Sequence, residues 1–155
     1  SALNCSTGRF SMIRSVFAST SVLLLASCSQ PSAPGNTLPG SNSSVTIEKF
    51  SEYWRLNLPK DATQIEFGLF ASIDTGGELK FLTSCAEIHG FINSSGFPEP
   101  TPGPAPSHAV LVASRNAWTL PSQVENSEDQ FHARNRLVTV GELNGQCQVI
   151  FVGIK

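Results

Sequence analysis

Two cysteines and three histidines carry the widest choice of chemistry in this 155-residue chain. Cys85 and His89 stand four residues apart, the spacing that brings two side chains to one side of a helix. With Cys147 and either His108 or His132 they would make the four-ligand shell of a structural zinc. That shell lacks the close Cys-x-x-Cys pair from which such sites are commonly built, and His89 falls at the margin of an apolar stripe, where a part-exposed histidine is ordinary. The other chemistry open to Cys85 and Cys147 is a bond to each other. No Gly-x-Ser-x-Gly elbow, phosphate-cradling glycine loop or His-Glu-x-x-His occurs. The only close group of acids, Glu125, Glu128 and Asp129, lies in a polar stretch that reads as a solvated loop.

Asp74-Thr75-Gly76 follows an apolar run and resembles the Asp-Thr-Gly of aspartic proteases, while Phe151-Val152-Gly153 resembles the second element of the retroviral-type half-enzyme. The resemblance implies an envelope hydrolase acting through Asp74. Because that chemistry needs two carboxylates sharing one proton and the chain has one such triplet, only a homodimer would serve. Gly77-Glu78 depart from the family pattern, and Asp, Thr and Gly are ordinary turn residues, so a hairpin turn is the preferred reading. Tyr53, Trp54 and Trp118 are the candidate binding residues, since exposed aromatic rings give large contact area at low entropic cost. Buried, the same three rings are core, which base rates favour.

The elements that would position these residues lie in the second two-thirds of the chain. Ten Lys+Arg against twelve Asp+Glu leave a net charge of −2 without cationic clusters, which argues against nucleic acid as a partner. Residues 1–47 hold only Arg9 and Arg14 and no acid. Residues 16–26 form an apolar stretch shorter than the ~20 residues of a spanning helix, preceded by Arg14 and followed by small residues, as in the h-region of a secretory signal. Ser1 is no initiator, and Met12 stands as a candidate start. Leu25-Ala26-Ser27-Cys28 resembles the lipobox of bacterial lipoprotein precursors at all four positions. The resemblance implies cleavage before Cys28 and palmitate-type acylation of that residue, a membrane anchor at the cell envelope. Residues 29–44 carry no charge and little that is apolar, and read as a disordered tether. The organisation expected is therefore a signal segment over 1–27, a lipid-anchored tether over 28–44 and one domain over 45–155.

With Cys5 in or before the signal and Cys28 acylated, the exported domain keeps an even pair, and an oxidising compartment makes Cys85–Cys147 a disulfide rather than half a zinc site. Cys147 belongs to the clearest structure in the sequence, two β-rich runs joined by Asn144-Gly145. A two-residue turn there sets Glu142 opposite Cys147, Val140 opposite Val149 and Val138 opposite Phe151. Ile65, Phe67, Leu69, Ala71 and Ile73 alternate with other residues as a strand, turn at 74–77 and return through Leu79 and Phe81. Val45 to Leu58 and His108 to Ala113 read as further strands, and 121–133 as irregular chain. One helix stands out between a Ser84/Glu87 capping box and Gly96, with Cys85, Ile88, Phe91 and Ile92 as its stripe. Residues 96–107, with five prolines, read as an extended loop.

The fold expected is α+β, a mainly antiparallel β-sheet with one helix packed on a face. Tyr53 to Ile65, with Pro59-x-x-Ala62-x-x-Ile65 inside it, the later Trp118 and the C-terminal hairpin resemble small actinobacterial lipoproteins that have no assigned activity. That resemblance puts no catalytic residue on the chain. The sequence therefore points to a non-enzymatic envelope module with no cofactor and no metal, its partners being the membrane through Cys28 and an envelope protein or glycan.

Overall fold

The computed structural model describes residues 35–42, 44–71 and 75–155. The signal segment, Cys28, the first part of the tether and Asp74 lie outside the described residues. The strands are β1 (Asn36–Thr37), β2 (Thr63–Ala71), β3 (Thr75–Thr83), β4 (Thr101–Gly103), β5 (Val124–Phe131), β6 (Arg134–Leu143) and β7 (Gln146–Ile154). They form one sheet in the order β1-β2-β3-β7-β6-β5-β4, antiparallel throughout except where β1 joins β2 in parallel. Three short helices complete it: α1 (Ile47–Trp54), α2 (Ile88–Ser95) after a 3-10 turn at Cys85–Glu87, and α3 (Ser107–Arg115). The fold is α+β as expected.

Both expected hairpins form, but Thr75, Gly76 and Gly77 pair with Ala71, Phe70 and Leu69 as strand residues, so the first hairpin does not turn at 74–77. In β6–β7 the register sets Glu142 against Cys147, Val140 against Val149 and Val138 against Phe151, with Asn144 and Gly145 at φ 54° and 80°. That is the doubly left-handed turn that Asn-Gly favours. In β2–β3, Ile65 and Phe67 face Leu79 and Phe81 across one buried surface. These apolar positions, with Val138, Val140, Val149 and Phe151, meet α1 and α2 in the larger core.

Several expectations are corrected. Val45 to Leu58 is not a strand: Ile47, Phe50 and Trp54 recur at helical spacing, and the Thr46 hydroxyl accepts from Lys49 N at 3.4 Å as N-cap. His108 to Ala113 is also helical, burying Ala109, Val112 and Ala113 while Val110 and Leu111 face outward. α3 covers the second face of the sheet against Leu137, Ile150 and Val152, so the domain has helices on both faces rather than one helix on one. The polar run 121–133 contains β5, whose inward residues are hydrogen-bonded rather than apolar: Ser127 donates to Pro98 O at 2.7 Å, and Asp129 receives Arg136. Finally, Gly35–Asn42 belongs to the domain and not to a tether. Leu38 N donates to Phe67 O, Asn42 N to Leu69 O, and the Leu38 side chain is buried. Thr101–Gly103 pairs as the edge strand of the proline stretch, a position that tolerates Pro102.

The capping box at Ser84 also forms differently. Ser84 makes no side-chain cap, and Asp61 from the neighbouring loop takes the place of Glu87, accepting from Ser84 N at 3.0 Å and from Thr83 Oγ1 at 2.5 Å. Gly96 ends α2 in the left-handed region at φ 75°, as a C-terminal glycine does.

Two features set how closely α1 sits. Gly77 and Gly153 are cross-strand partners, and the Trp54 ring lies in the notch they leave: an added Cβ would meet Trp54 Nε1 at 2.1 Å from Gly77 and Cζ3 at 2.5 Å from Gly153. Beside Gly153 in register stands Arg136, buried, whose Nη1 donates to Trp54 O (2.9 Å), Arg55 O (3.2 Å) and Ser95 O (3.2 Å). Its Nε donates to Asp129 Oδ1 at 2.7 Å, and Nη2 pairs with Asp129 Oδ2. Gly153→Ala should therefore cost about 1–3 kcal/mol, the range for overpacking a filled core. Gly90→Ala, inside α2 with nothing within 4 Å of the new methyl, should gain about 0.5–1 kcal/mol. Urea midpoints of the two variants check both; a neutral Gly153→Ala would mean that Trp54 does not need the notch.

Candidate functional site

The second face of the sheet carries charged residues that α3 and its exit turn enclose. Glu66 on β2 and Lys80 on β3 are cross-strand partners, and Lys80 Nζ donates to Glu66 Oε1 at 2.5 Å. The other carboxylate oxygen accepts from Trp118 Nε1 at 2.8 Å, while Lys80 lies 5.8 Å from the Trp118 ring centroid. One alternation further along β3, Glu78 is ion-paired with Arg115 and accepts from Asn116 Nδ2 at 2.8 Å. Its side chain is only 8% exposed, whereas that of Arg115 is 54% exposed.

Local backbone chemistry places these groups. α3 ends at Arg115, Ala117 takes φ 54°, and Trp118 N donates to Ala113 O at 2.8 Å. That left-handed residue reverses the chain and lays the Trp118 indole on Glu66. From the other side the strap of Leu38 and Pro39 closes a recess of about 440 Å3 lined by Leu38, Pro39, Glu66, Phe70, Arg115 and Asn116. Arg115 stands 5.4 Å from the Phe70 ring centroid at its mouth.

Burial of Glu66 alone would raise its pKa, but the hydrogen bonds from Lys80 and Trp118 and the Lys80 charge outweigh it and hold the carboxyl below its ordinary value. Glu66 is thus an ionised acceptor and not a proton donor at neutral pH. Glu78 is neutralised in place by Arg115. What the recess offers a ligand is the uncommitted edge of the Arg115 guanidinium, the Asn116 carbonyl oxygen and the half-buried Phe70 ring, which are groups for recognition. A second depression, about 540 Å3 between Asn57–Asp61 and α2, brings together only Asp61 and Glu87 among acids. Asp61 there is spent on Thr83 and Ser84, whose hydrogen bonds hold its pKa below the ordinary value.

The residues singled out from the sequence do not form one site. Trp54 is fully buried under α1 and Trp118 is 7% exposed, so neither presents a ring to a partner, though Trp118 fixes the floor of the recess through Nε1. Tyr53 is half-buried on the opposite face beside Arg134. Cys85 and Cys147 are joined as a disulfide with Cα atoms 4.9 Å apart, which removes both sulfurs from the zinc shell. His89 on α2 instead faces Asn93 and Glu99, His108 opens α3, and His132 turns between β5 and β6. Among the described residues no three His, Cys, Asp or Glu side chains come together. The acids Glu125, Glu128 and Asp129 are strand residues on alternating sides of β5, not a loop cluster. Glu66, Glu78, Lys80, Arg115 and Asn116 were not picked out by sequence reasoning. The available signal was the even-numbered polar set of β2 and β3, whose burial shows only once α3 is placed above it.

Compared with known proteins, the chain matches no family model, no curated protein and no solved structure.

The lowered pKa of Glu66 fixes a sign. Its contribution to stability is present above the unfolded-state value, about pH 4.3, and is lost as pH falls through the lower folded-state value. Glu66→Gln should therefore flatten the acid limb of a plot of urea midpoint against pH below about 4.3. An acid limb of unchanged slope would show that Glu66 is not held in its ionised form by Lys80 and Trp118.

Proposed function

We propose that this chain is a lipid-anchored cell-envelope protein whose domain is a non-enzymatic binding or structural module, with an envelope protein or glycan as its partner. The observation that carries the reading is the Cys85–Cys147 disulfide, because structural disulfides persist in oxidising compartments and are rare where glutathione keeps thiols reduced. It agrees with the lipobox-like Leu25-Ala26-Ser27-Cys28. Among the described residues no helix is long and apolar enough to cross a membrane. The recess beneath α3 supports binding over turnover: its carboxylates are already paired with Lys80 and Arg115, and no nucleophile and base face each other there.

Fractionation of expressing cells tests the anchor. The Cys28→Ala chain should leave the membrane fraction, and a variant that stays membrane-bound would refute acylation at Cys28. Replacing Cys85 and Cys147 together with alanine opens a covalent loop of 62 residues and should cost about 4 kcal/mol in the chain-entropy account. Equal unfolding midpoints with and without the pair would remove the disulfide as a structural staple.

A further inference from the structure

At the end of the sheet where β5 turns into β6, two arginines on the α1 side repeat one geometry with different outcomes. Arg136 uses Nη1 on main-chain carbonyls at the end of α1 and its Nε/Nη2 edge on the Asp129 carboxylate. Arg134, two residues earlier on the same strand face, also gives Nη1 to a carbonyl of α1, Tyr53 O at 2.6 Å. Its Nε is buried without a partner, and among the described residues no carboxylate pairs with it. Arg134 is thus Arg136 without its anion. A buried unmatched N–H costs free energy, and an oxyanion relieves that cost only by meeting the Arg134 edge once the side chain turns its Nε outward.

The surroundings select the charge of that anion. Arg134 stacks 3.8 Å from the Tyr53 ring centroid. Arg55, exposed and held at φ 53°, lies 4.9 Å from the Phe131 centroid, the residue paired with Arg134 across the hairpin. Arg55 likewise pairs with no carboxylate among the described residues. His132 and Ala133, with φ 49° and 60°, make the two-residue hairpin turn beside them. With Asp129 answering Arg136, the guanidinium charges of Arg55 and Arg134 remain unanswered. One guanidinium fork saturates a planar carboxylate, as Asp129 shows; the fork of Arg55 together with the free Nη2 of Arg134 suits an oxyanion with more oxygens.

We propose that Arg55 and Arg134, with Tyr53 and Phe131 as their stacking platforms, form a binding site for a phosphate group. The site stands on the described residues alone and does not depend on the recess or on acylation. The phosphate has two sources to separate, a phospholipid headgroup or a soluble phosphate.

The test uses the full chain carrying Cys28→Ala, so that no acyl group contributes. Titration with inorganic phosphate should shift the Arg55 and Arg134 Nε–H signals saturably in nitrogen–proton spectra, while acetate at equal ionic strength should not. Arg134→Gln and Arg55→Gln should each weaken phosphate binding about tenfold or more, the loss of one charge-assisted contact. The Arg55 side chain donates no hydrogen bond among the described residues, and its backbone bonds to Glu52 O and from Arg136 survive in Arg55→Gln, so that variant removes the charge without breaking a hydrogen bond. Phosphatidylglycerol vesicles that bind where phosphatidylcholine vesicles do not, with binding lost in the same variants, assign the phosphate to a headgroup. Phosphate binding without vesicle preference assigns a soluble ligand. No saturable response to phosphate or to vesicles, an equal response to acetate, or unchanged binding in Arg55→Gln overturns the site.

Discussion

The buried guanidinium of Arg136 is the constraint around which the larger core is arranged. Taking a charge out of water costs several kcal/mol, and that cost is offset only when every donor finds a partner with good geometry. Here the Nε/Nη2 edge is filled by Asp129 and Nη1 by three carbonyls, those of Trp54, Arg55 and Ser95. Those carbonyls belong to the last turns of α1 and α2, where backbone acceptors have no partner within their own helix and the helix dipole is negative. One cation therefore closes two helix ends, and Asp129 commits β5 to the same point. The Phe97 ring, 4.3 Å from the guanidinium, covers the remaining side. Neither helix can slide along the sheet without leaving a buried charge unmatched, so the position of the whole α layer is fixed by polar contacts while its stability comes from apolar burial.

The glycine notch follows from that constraint. With the end of α1 held at Arg136, its last residue, Trp54, must lie directly over the strands beside it. A sheet with side chains at Gly77 and Gly153 would leave no depth for an indole there. The fit is close enough that Trp54 Nε1 has no hydrogen-bond partner, a cost accepted for the contacts of a large ring with Phe151 and Tyr53. At the far end of the sheet the disulfide performs the matching task, tying the entry to α2 to the start of β7. The α layer is thus pinned at one end by charge and at the other by a covalent bond.

Legibility in the sequence followed how local the determining physics is. The β6–β7 register could be read residue by residue because Asn144-Gly145 fixes the turn, and the turn fixes the pairing. The disulfide followed from counting cysteines against compartments. α1 was hidden because β-branched and aromatic residues are strand formers by propensity, while the helical spacing of Ile47, Phe50 and Trp54 matters only once a sheet offers a face to receive it. α3 was hidden for the same reason, and with it the enclosure of Glu66 and Glu78. β5 was illegible in principle from apolar alternation, since its inward residues Ser127 and Asp129 are matched by Pro98 and Arg136, which are distant in sequence. Gly35–Asn42 has the composition of a linker, and only its bonds to β2 make it structure.

The placement of charge makes a last distinction among surfaces. Charged residues are 14% of the chain, yet Lys80, Arg115 and Arg136 are held in ion pairs against the faces of the sheet. Such pairs locate elements more than they stabilise them, because desolvation consumes most of their Coulomb energy. They also cancel the field that those residues would otherwise project, leaving the recess under α3 polar but locally near neutral. Arg55 and Arg134 stand differently, stacked on rings and unmatched by carboxylate among the described residues. In a chain of net charge −2, the β5–β6 end thus carries two cations that no carboxylate pairs with among the described residues. An anion approaching it is drawn by charge and then held by forks already oriented by stacking, which lowers the ordering cost of binding.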